Sequence, residues 1–341
     1  MAIETIGTGK AVPPHRVSND DLAKRVNTND EWIRSHTGIG ARHIAPPETA
    51  ASDLGYEAAL EALEMAADVL GESPEETAAS LDLVLVATAT PDYIGCPSVS
   101  CIIQDRLDAR NTAAMDISAG CTGFIYGMET ARALLTIAPE RKRALVIGAE
   151  TLTKFANWDD RSTCVLFGDG SGAVVIEKTG APASGPGKRG VLRSILCADG
   201  SGQEHIIFRR GGGRHPFKAG ETVDKPAHLE MNGRSVYNFA VKAMTDITQK
   251  LLAEEGISVE EVARIIPHQA NARIVQAAAK RLGIGEDKFF LNIEEYANTS
   301  AASIPIALDE LNRGGNLKKG DLLLLIGFGG GLTYGGNLIV W

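Results

Sequence analysis

Cys121 lies in the segment Ser118-Ala119-Gly120-Cys121-Thr122-Gly123-Phe124, between a stretch that reads as a strand and one that reads as a helix. A thiol on such a turn is exposed, and it faces the free N–H groups of a helix start, which favour an anion. The expectation is a pKa below the roughly 8.5 of free cysteine. Small neighbours, Ala119, Gly120 and Gly123, leave room for a substrate carbonyl to reach both the sulfur and the Cys121 N–H. A cysteine taken alone is more often a buried structural residue, and Cys96, Cys101, Cys164 and Cys197 are read that way.

Two other groups set Cys121 apart. In Ile266-Pro267-His268-Gln269-Ala270-Asn271 a histidine follows a predicted strand and precedes a predicted helix. In Tyr296-Ala297-Asn298-Thr299-Ser300-Ala301-Ala302-Ser303 an asparagine opens a helix. Functional groups gather at the carboxyl ends of strands in α/β sheets. Separately, His268 reads as a cap or core histidine and Asn298 as an N-cap. Together with Cys121 they describe covalent catalysis on a polarised thioester. A fourth segment, Gly327-Phe328-Gly329-Gly330-Gly331-Leu332, reads equally as a plain hairpin turn or as a turn whose backbone N–H completes an oxyanion hole.

These groups need a scaffold that lines up strand ends. Apolar runs at Leu83–Val86, Ala144–Ile147, Gly172–Ile176, Arg264–Ile266 and Leu322–Ile326 predict strands covered on both faces. Helical patterns fall between them: one after Cys121 with Phe124, Met128, Ala131 and Leu135 on one face, one over Val236–Glu255, and one over Ala270–Leu282. The alternation predicts a layered α/β fold. The segment 179–188, rich in Gly, Pro and small residues, reads as a linker between halves 1–178 and 188–341. Element order repeats across it. Strand, helix, strand, Cys121-helix, strand in the first half matches strand, helix, strand (Phe289–Asn292), Asn298-helix, strand in the second. A single doubly wound sheet with coincidental spacing is the alternative.

The chain has 341 residues, a formal charge of −9 and five cysteines without a C-x-x-C pair. That argues against a disulfide framework or zinc site, fits a reducing cytoplasm, and disfavours general nucleic-acid binding. No apolar run approaches a membrane span, and Met1-Ala2-Ile3-Glu4 does not open a signal peptide.

Taken together, the Cys121, Pro-His268-Gln-Ala-Asn271, Asn298-Thr-Ser-Ala-Ala-Ser and Gly-Phe-Gly329-Gly330-Gly331 segments resemble the β-ketoacyl-ACP synthase III family. The resemblance runs from Ile6-Gly7-Thr8-Gly9 and Asn29-Asp30-Glu31-Trp32-Ile33 through Phe167-Gly168-Asp169-Gly170 to the C-terminal strand. It implies a duplicated thiolase-like fold, layered α-β-α-β-α with two related mixed sheets, and a cytoplasmic homodimer. The implied reaction acylates Cys121 from acyl-CoA, commonly acetyl-CoA, and then condenses that group with decarboxylating malonyl-ACP. His268 Nε2 and the Asn298 amide would hold the enolate oxygen, and the N–H groups of Cys121 and Gly330 the acyl oxygen. No metal or redox cofactor is implied. Trp32 and Arg161 match residues that sandwich adenine, Asn271 a pantetheine contact, and Gly233 the loop beside it. Arg273, Lys280 and Arg281 share one helix face and suit an acidic acyl carrier protein, although a solvated face explains the same charges.

Two positions depart from the family pattern. Cys96 stands where a phenylalanine often caps the partner subunit's acyl pocket, which implies room for longer or branched primers. His36 stands where an arginine often lies near the CoA phosphates. Rival readings are a papain-like peptidase, a transferase acting without decarboxylation, and a noncatalytic thiolase-fold subunit. The first lacks its signature around the cysteine, and the last does not need Cys121, His268 and Asn298 together.

Overall fold

The computed structural model describes residues 1–220 and 228–341. One sheet contains β1 (Ala2–Ala11), β2 (Leu83–Ala87), β3 (Ala113–Ile117), β4 (Arg143–Thr151) and β5 (Asp169–Thr179). The other contains β6 (Gly190–Ala198), β7 (Val262–Pro267), β8 (Leu322–Gly329) and β9 (Thr333–Val340). The helices that matter for the site are α1 (Asp30–Thr37), α2 (Ala51–Leu70), α3 (Gly123–Ile137), α4 (Gly233–Glu255), α5 (Ala272–Leu282) and α6 (Ser303–Arg313). Among the described residues no helix is long and apolar enough to cross a membrane.

Strand order is β1-β5-β4-β2-β3 in the first sheet and β7-β8-β9-β6 in the second. In the first, β4, β2 and β3 run parallel while β5 and β1 are antiparallel to their neighbours. In the second, β7 and β8 run parallel, and β9 and β6 are antiparallel. Each sheet therefore repeats one plan, with β2, β4, β5 and β1 matched by β7, β8, β9 and β6.

The expected strand Phe289–Asn292, the counterpart of β3, is reduced to one parallel bridge between Phe289 and Ile265. Phe290 N–H still donates to Ile265 O at 2.9 Å, but the Asn292 N–H donates to the Gln269 side chain at 3.1 Å. A short helix, Ile293–Tyr296, follows at once. A side-chain acceptor thus ends the ladder that hydrophobic patterning alone would extend.

Both sheet faces are covered, as the unbroken apolar runs required. Leu83 and Leu85 of β2, Ala144 and Val146 of β4, and Leu323 and Leu325 of β8 face a central layer. That layer also holds Phe124, Met128, Ala131 and Leu135 of α3 with Ile304, Ala307, Leu308 and Leu311 of α6. The alternate residues Val84, Val86, Leu145 and Ile147 face α2 on the outside, and Leu324 and Ile326 face α4 and α5. The two-residue period of a strand sends successive side chains into different layers. The result is α-β-α-β-α, with α3 and α6 as the shared middle.

Helix α2 lies close to β1, and a Cβ built on Gly9 would stand 2.3 Å from the Ala58 carbonyl oxygen. Backbone cannot move aside there. Gly9→Ala is expected to destabilise the fold by about 1–3 kcal/mol, the usual cost of overpacking. Gly180→Ala, where the added methyl meets nothing within 4 Å, serves as the control. Thermal unfolding of both variants checks this, and equal melting temperatures would contradict it.

Candidate active site

The first turn leading into α3 carries Cys121, and the first turn leading into α6 carries Ser300. The two central helices thus point their starts at one cavity of about 540 Å³. Its lining includes Cys121, His268, Asn298, Gly330, Trp32, His36, Gly233 and Asn271. Apolar walls come from Leu152, Phe167, Ile206, Phe208, Leu229 and Phe328 among others.

The nucleophile turn is tied to the glycine hairpin between β8 and β9. Thr333 Oγ1 donates to Ala119 O at 2.7 Å and lies 2.9 Å from Gly330 O. Thr122 Oγ1 donates to Thr333 O at 3.0 Å. Gly329 must be glycine for this approach, since a Cβ there would stand 2.6 Å from the Cys121 Cβ and 2.8 Å from its sulfur. The segment is a hairpin turn, and its backbone lies close against the Cys121 turn. The N–H groups of Gly330 and Cys121 bear on the sulfur and favour its charged form.

Even so, the thiol is not acidic at rest. Burial pushes the Cys121 thiol up to about 11, against the help of the Ser300 hydroxyl and the two N–H groups, and Glu150 adds repulsion. The expectation of a depressed pKa is corrected here. It counted the helix start but not desolvation by the apolar cavity or a second buried acid. The reading of the other cysteines also changes: Cys164 is buried and Cys197 half-buried, but Cys96 and Cys101 are exposed.

His268 follows β7, its N–H donating to Ile326 O at 2.7 Å. Its ring is buried edge-on against Phe328, and burial drives its pKa down to about 3, so the imidazole is neutral. Nδ1 lies 2.7 Å from Ser303 Oγ, which in turn lies 2.8 Å from Ser300 O. The serine has one hydrogen to give. Turned to Ser300 O, it leaves the ring proton on Nδ1; turned to Nδ1, it leaves that proton on Nε2. Donation from Nε2 to a substrate oxygen requires the second arrangement.

Asn298 is clamped through its backbone, donating to Leu166 O at 2.9 Å and accepting from Gly168 N–H at 3.1 Å. Its Oδ1 accepts from Ser300 N–H at 2.9 Å, which leaves the NH₂ as the free end of the amide. Ser300 holds φ at 46°, a left-handed value that a side chain adopts only under constraint.

At the cavity mouth the Arg161 guanidinium lies over the Trp32 ring, 4.8 Å from its centroid, and His36 stacks on Trp32 at 4.5 Å. The Trp32–Arg161 pair is thus closed on itself, and a base entering between them must part the stack. Asn271 caps α5 and donates to His36 O at 3.0 Å, while Gly233 opens α4. Arg273, Lys280 and Arg281 are exposed on α5 and pair with no acid among the described residues. Cys96 does not line the cavity of its own chain.

Sequence reasoning passed over three groups around Cys121, His268 and Asn298: Ser303 behind His268, Ser300 beside Cys121, and Glu150 beneath them. The serines stand inside a segment whose asparagine took the notice. Glu150 was visible as a lone acid ending the apolar run Ala144–Ala149. It is fully buried in the structure.

Comparison with known proteins follows the same lines. Residues 115–200 match the family described as 3-oxoacyl-[acyl-carrier-protein] synthase III, and residues 252–341 match its C-terminal region. The chain is 46% identical to β-ketoacyl-[acyl-carrier-protein] synthase III of Desulfitobacterium hafniense, covering all of this chain and 98% of that one. It is 47% identical to the protein of that name from Caldanaerobacter subterraneus, with the same coverage. The crystal structure of 3-oxoacyl-[acyl-carrier-protein] synthase III from Aquifex aeolicus superimposes with a TM-score of 0.87 at 42% identity, each chain covered completely. With its duplicated sheets and a cysteine, a histidine and an asparagine on one cavity, this chain belongs to the β-ketoacyl-[acyl-carrier-protein] synthase III family of condensing acyltransferases.

Proposed function

We propose that Cys121 takes an acyl group from a short-chain or branched acyl-CoA and passes it to the carbanion formed when malonyl-ACP decarboxylates, which starts fatty acid synthesis. The observation that carries this reading is the arrival of Cys121, Gly330, His268 and Asn298 at one cavity from four separate strand and helix ends. In the first stage the sulfur attacks the thioester carbonyl, and the negative oxygen is met by the Cys121 and Gly330 N–H groups. In the second, loss of CO₂ leaves an enolate oxygen for His268 Nε2–H and the Asn298 NH₂. Fixed dipoles in a dry cavity stabilise such charge far better than water does. Neither stage calls for a metal or redox group.

Trp32 and Arg161 would clamp the CoA adenine after their stack parts, with Asn271 and Gly233 along the pantetheine arm. The exposed charges of Arg273, Lys280 and Arg281 would receive the acidic carrier protein. The halves 1–178 and 188–341 would each supply one of the related sheets. Cys96, exposed in its own chain, would reach the acyl pocket of a partner in a cytoplasmic homodimer.

Incubation with a panel of acyl-CoAs, followed by intact-protein mass spectrometry, is expected to load one acyl group. Cys121→Ala should remove it. Butyryl and isobutyryl groups should load comparably to acetyl, and a strong preference for acetyl would contradict the open pocket at Cys96. Asn298→Ala should lower condensation and CO₂ release by about 10²–10³-fold, the usual cost of one oxyanion donor, while sparing the loading step. Equal loss in both half-reactions would contradict the division of labour. Arg273→Glu should raise KM for malonyl-ACP and leave loading from acyl-CoA near normal.

A further inference from the structure

His268 lines the cavity, yet its one side-chain hydrogen bond lies behind it, at the first residue of α6. The ring packs edge-on against buried Phe328 with centroids 5.3 Å apart, which holds its plane. Nδ1 faces Ser303 Oγ at 2.7 Å, and Nε2 has no hydrogen-bond partner among the described residues. Burial keeps the imidazole neutral, so its single N–H sits on Nδ1 or on Nε2, and the partner of one decides the other.

Three donors converge behind the ring. The Gln269 N–H reaches Ser303 Oγ at 3.3 Å. The Ser303 N–H closes the turn before α6 on Ser300 O. The Ser303 hydroxyl lies 2.8 Å from that same carbonyl and 2.7 Å from Nδ1. Because Ser300 O already accepts the Ser303 N–H, the hydroxyl can turn away without stranding a buried carbonyl. With the hydroxyl on Nδ1, all three donors are used and each acceptor takes one hydrogen. With it on Ser300 O, that carbonyl takes two hydrogens, and Oγ must take both the Gln269 N–H and a ring N–H.

We propose that Ser303 donates to Nδ1 and thereby holds the His268 proton on Nε2, where the ring faces the cavity as a hydrogen-bond donor. Ser303 is a positioning residue: it acts through the imidazole and touches no substrate. Its removal has a specific consequence. Ser300 O lies close enough to the ring to favour its protonated form. Without the hydroxyl, Nδ1 is left beside a carbonyl, which can only accept. The ring proton then moves to Nδ1, and Nε2 turns a lone pair to the cavity. A lone pair repels an enolate oxygen where an N–H would hold it.

This inference rests on the condensation proposed above, since that is the step that draws on the Nε2–H. Nitrogen-15 NMR of protein labelled in its histidine rings reads the tautomer directly, because protonated and bare ring nitrogens resonate far apart. Among the seven histidines, the His268 signals are those missing from His268→Asn. The wild type should show Nε2 protonated and Nδ1 bare, and the reverse overturns the proposal with no variant of Ser303 needed. Ser303→Ala should exchange the two nitrogens. It should also release CO₂ from malonyl-ACP about 10²-fold more slowly, the usual cost of one lost oxyanion donor. Its KM for malonyl-ACP and its loading from acyl-CoA should stay near those of the wild type. An unchanged tautomer in Ser303→Ala overturns the proposal, as does a loss shared equally by loading and condensation, which marks a structural role. Should that variant fail to fold, the wild-type spectrum decides alone. If both spectra come out as stated but the wild type releases no CO₂ from malonyl-ACP, the proposed function falls and the hold of Ser303 on the ring stands.

Discussion

The middle layer of this protein is the constraint on which its chemistry depends. Helices α3 and α6 bury their apolar faces in one shared layer between two sheets, Phe124, Met128 and Leu135 meeting the same core as Ile304, Leu308 and Leu311. Neither helix can slide without opening that core, at several kcal/mol for each large side chain exposed. Their N-terminal turns are thereby fixed against one another, and those turns hold Cys121 and Ser300. Catalysis needs positions held to a fraction of an ångström, and rigid packing of this kind supplies them.

Duplication gives the site its division of labour. The first half brings Cys121 at a strand-to-helix turn, and the second brings Asn298 at the equivalent turn with His268 at a neighbouring strand end. The glycine hairpin between β8 and β9 crosses from one half to the other, tied to the Cys121 turn through Thr333. The Cys121 and Gly330 N–H groups and the His268 and Asn298 side chains thus reach one cavity from different elements. Burial then works on each group according to its charge. It keeps the thiol protonated, the imidazole neutral and a carboxylate half-titrated in the neutral range.

Much of this was legible in the residues. Strands such as Leu83–Ala87 and Leu322–Gly329 are buried on both faces, so their unbroken apolar runs announce themselves. The meeting of Cys121, His268 and Asn298 at one cavity was legible because each stands just beyond a predicted strand end. What escaped depends on neighbours distant in sequence. Phe289–Asn292 patterns as a strand, but Gln269 takes the N–H that would have continued the ladder. The pKa of Cys121 could not be read from its turn, because the apolar cavity and Glu150 come from other segments. Ser300 and Ser303 are small polar residues in a run of similar ones. Only their contacts, a backbone forced to positive φ and a hydroxyl 2.7 Å from an imidazole, distinguish them.

On the proposed reaction, the acyl oxygen and the enolate oxygen would be served by different donors. A crystal structure of the enzyme acylated on Cys121 tests it most directly. The account predicts the acyl oxygen within hydrogen-bond distance, about 2.7–3.1 Å, of both the Cys121 and Gly330 N–H groups, with the Asn298 NH₂ and His268 Nε2 still free toward the cavity. An acyl oxygen turned instead onto His268 and Asn298, with the Gly330 N–H unengaged, would contradict it.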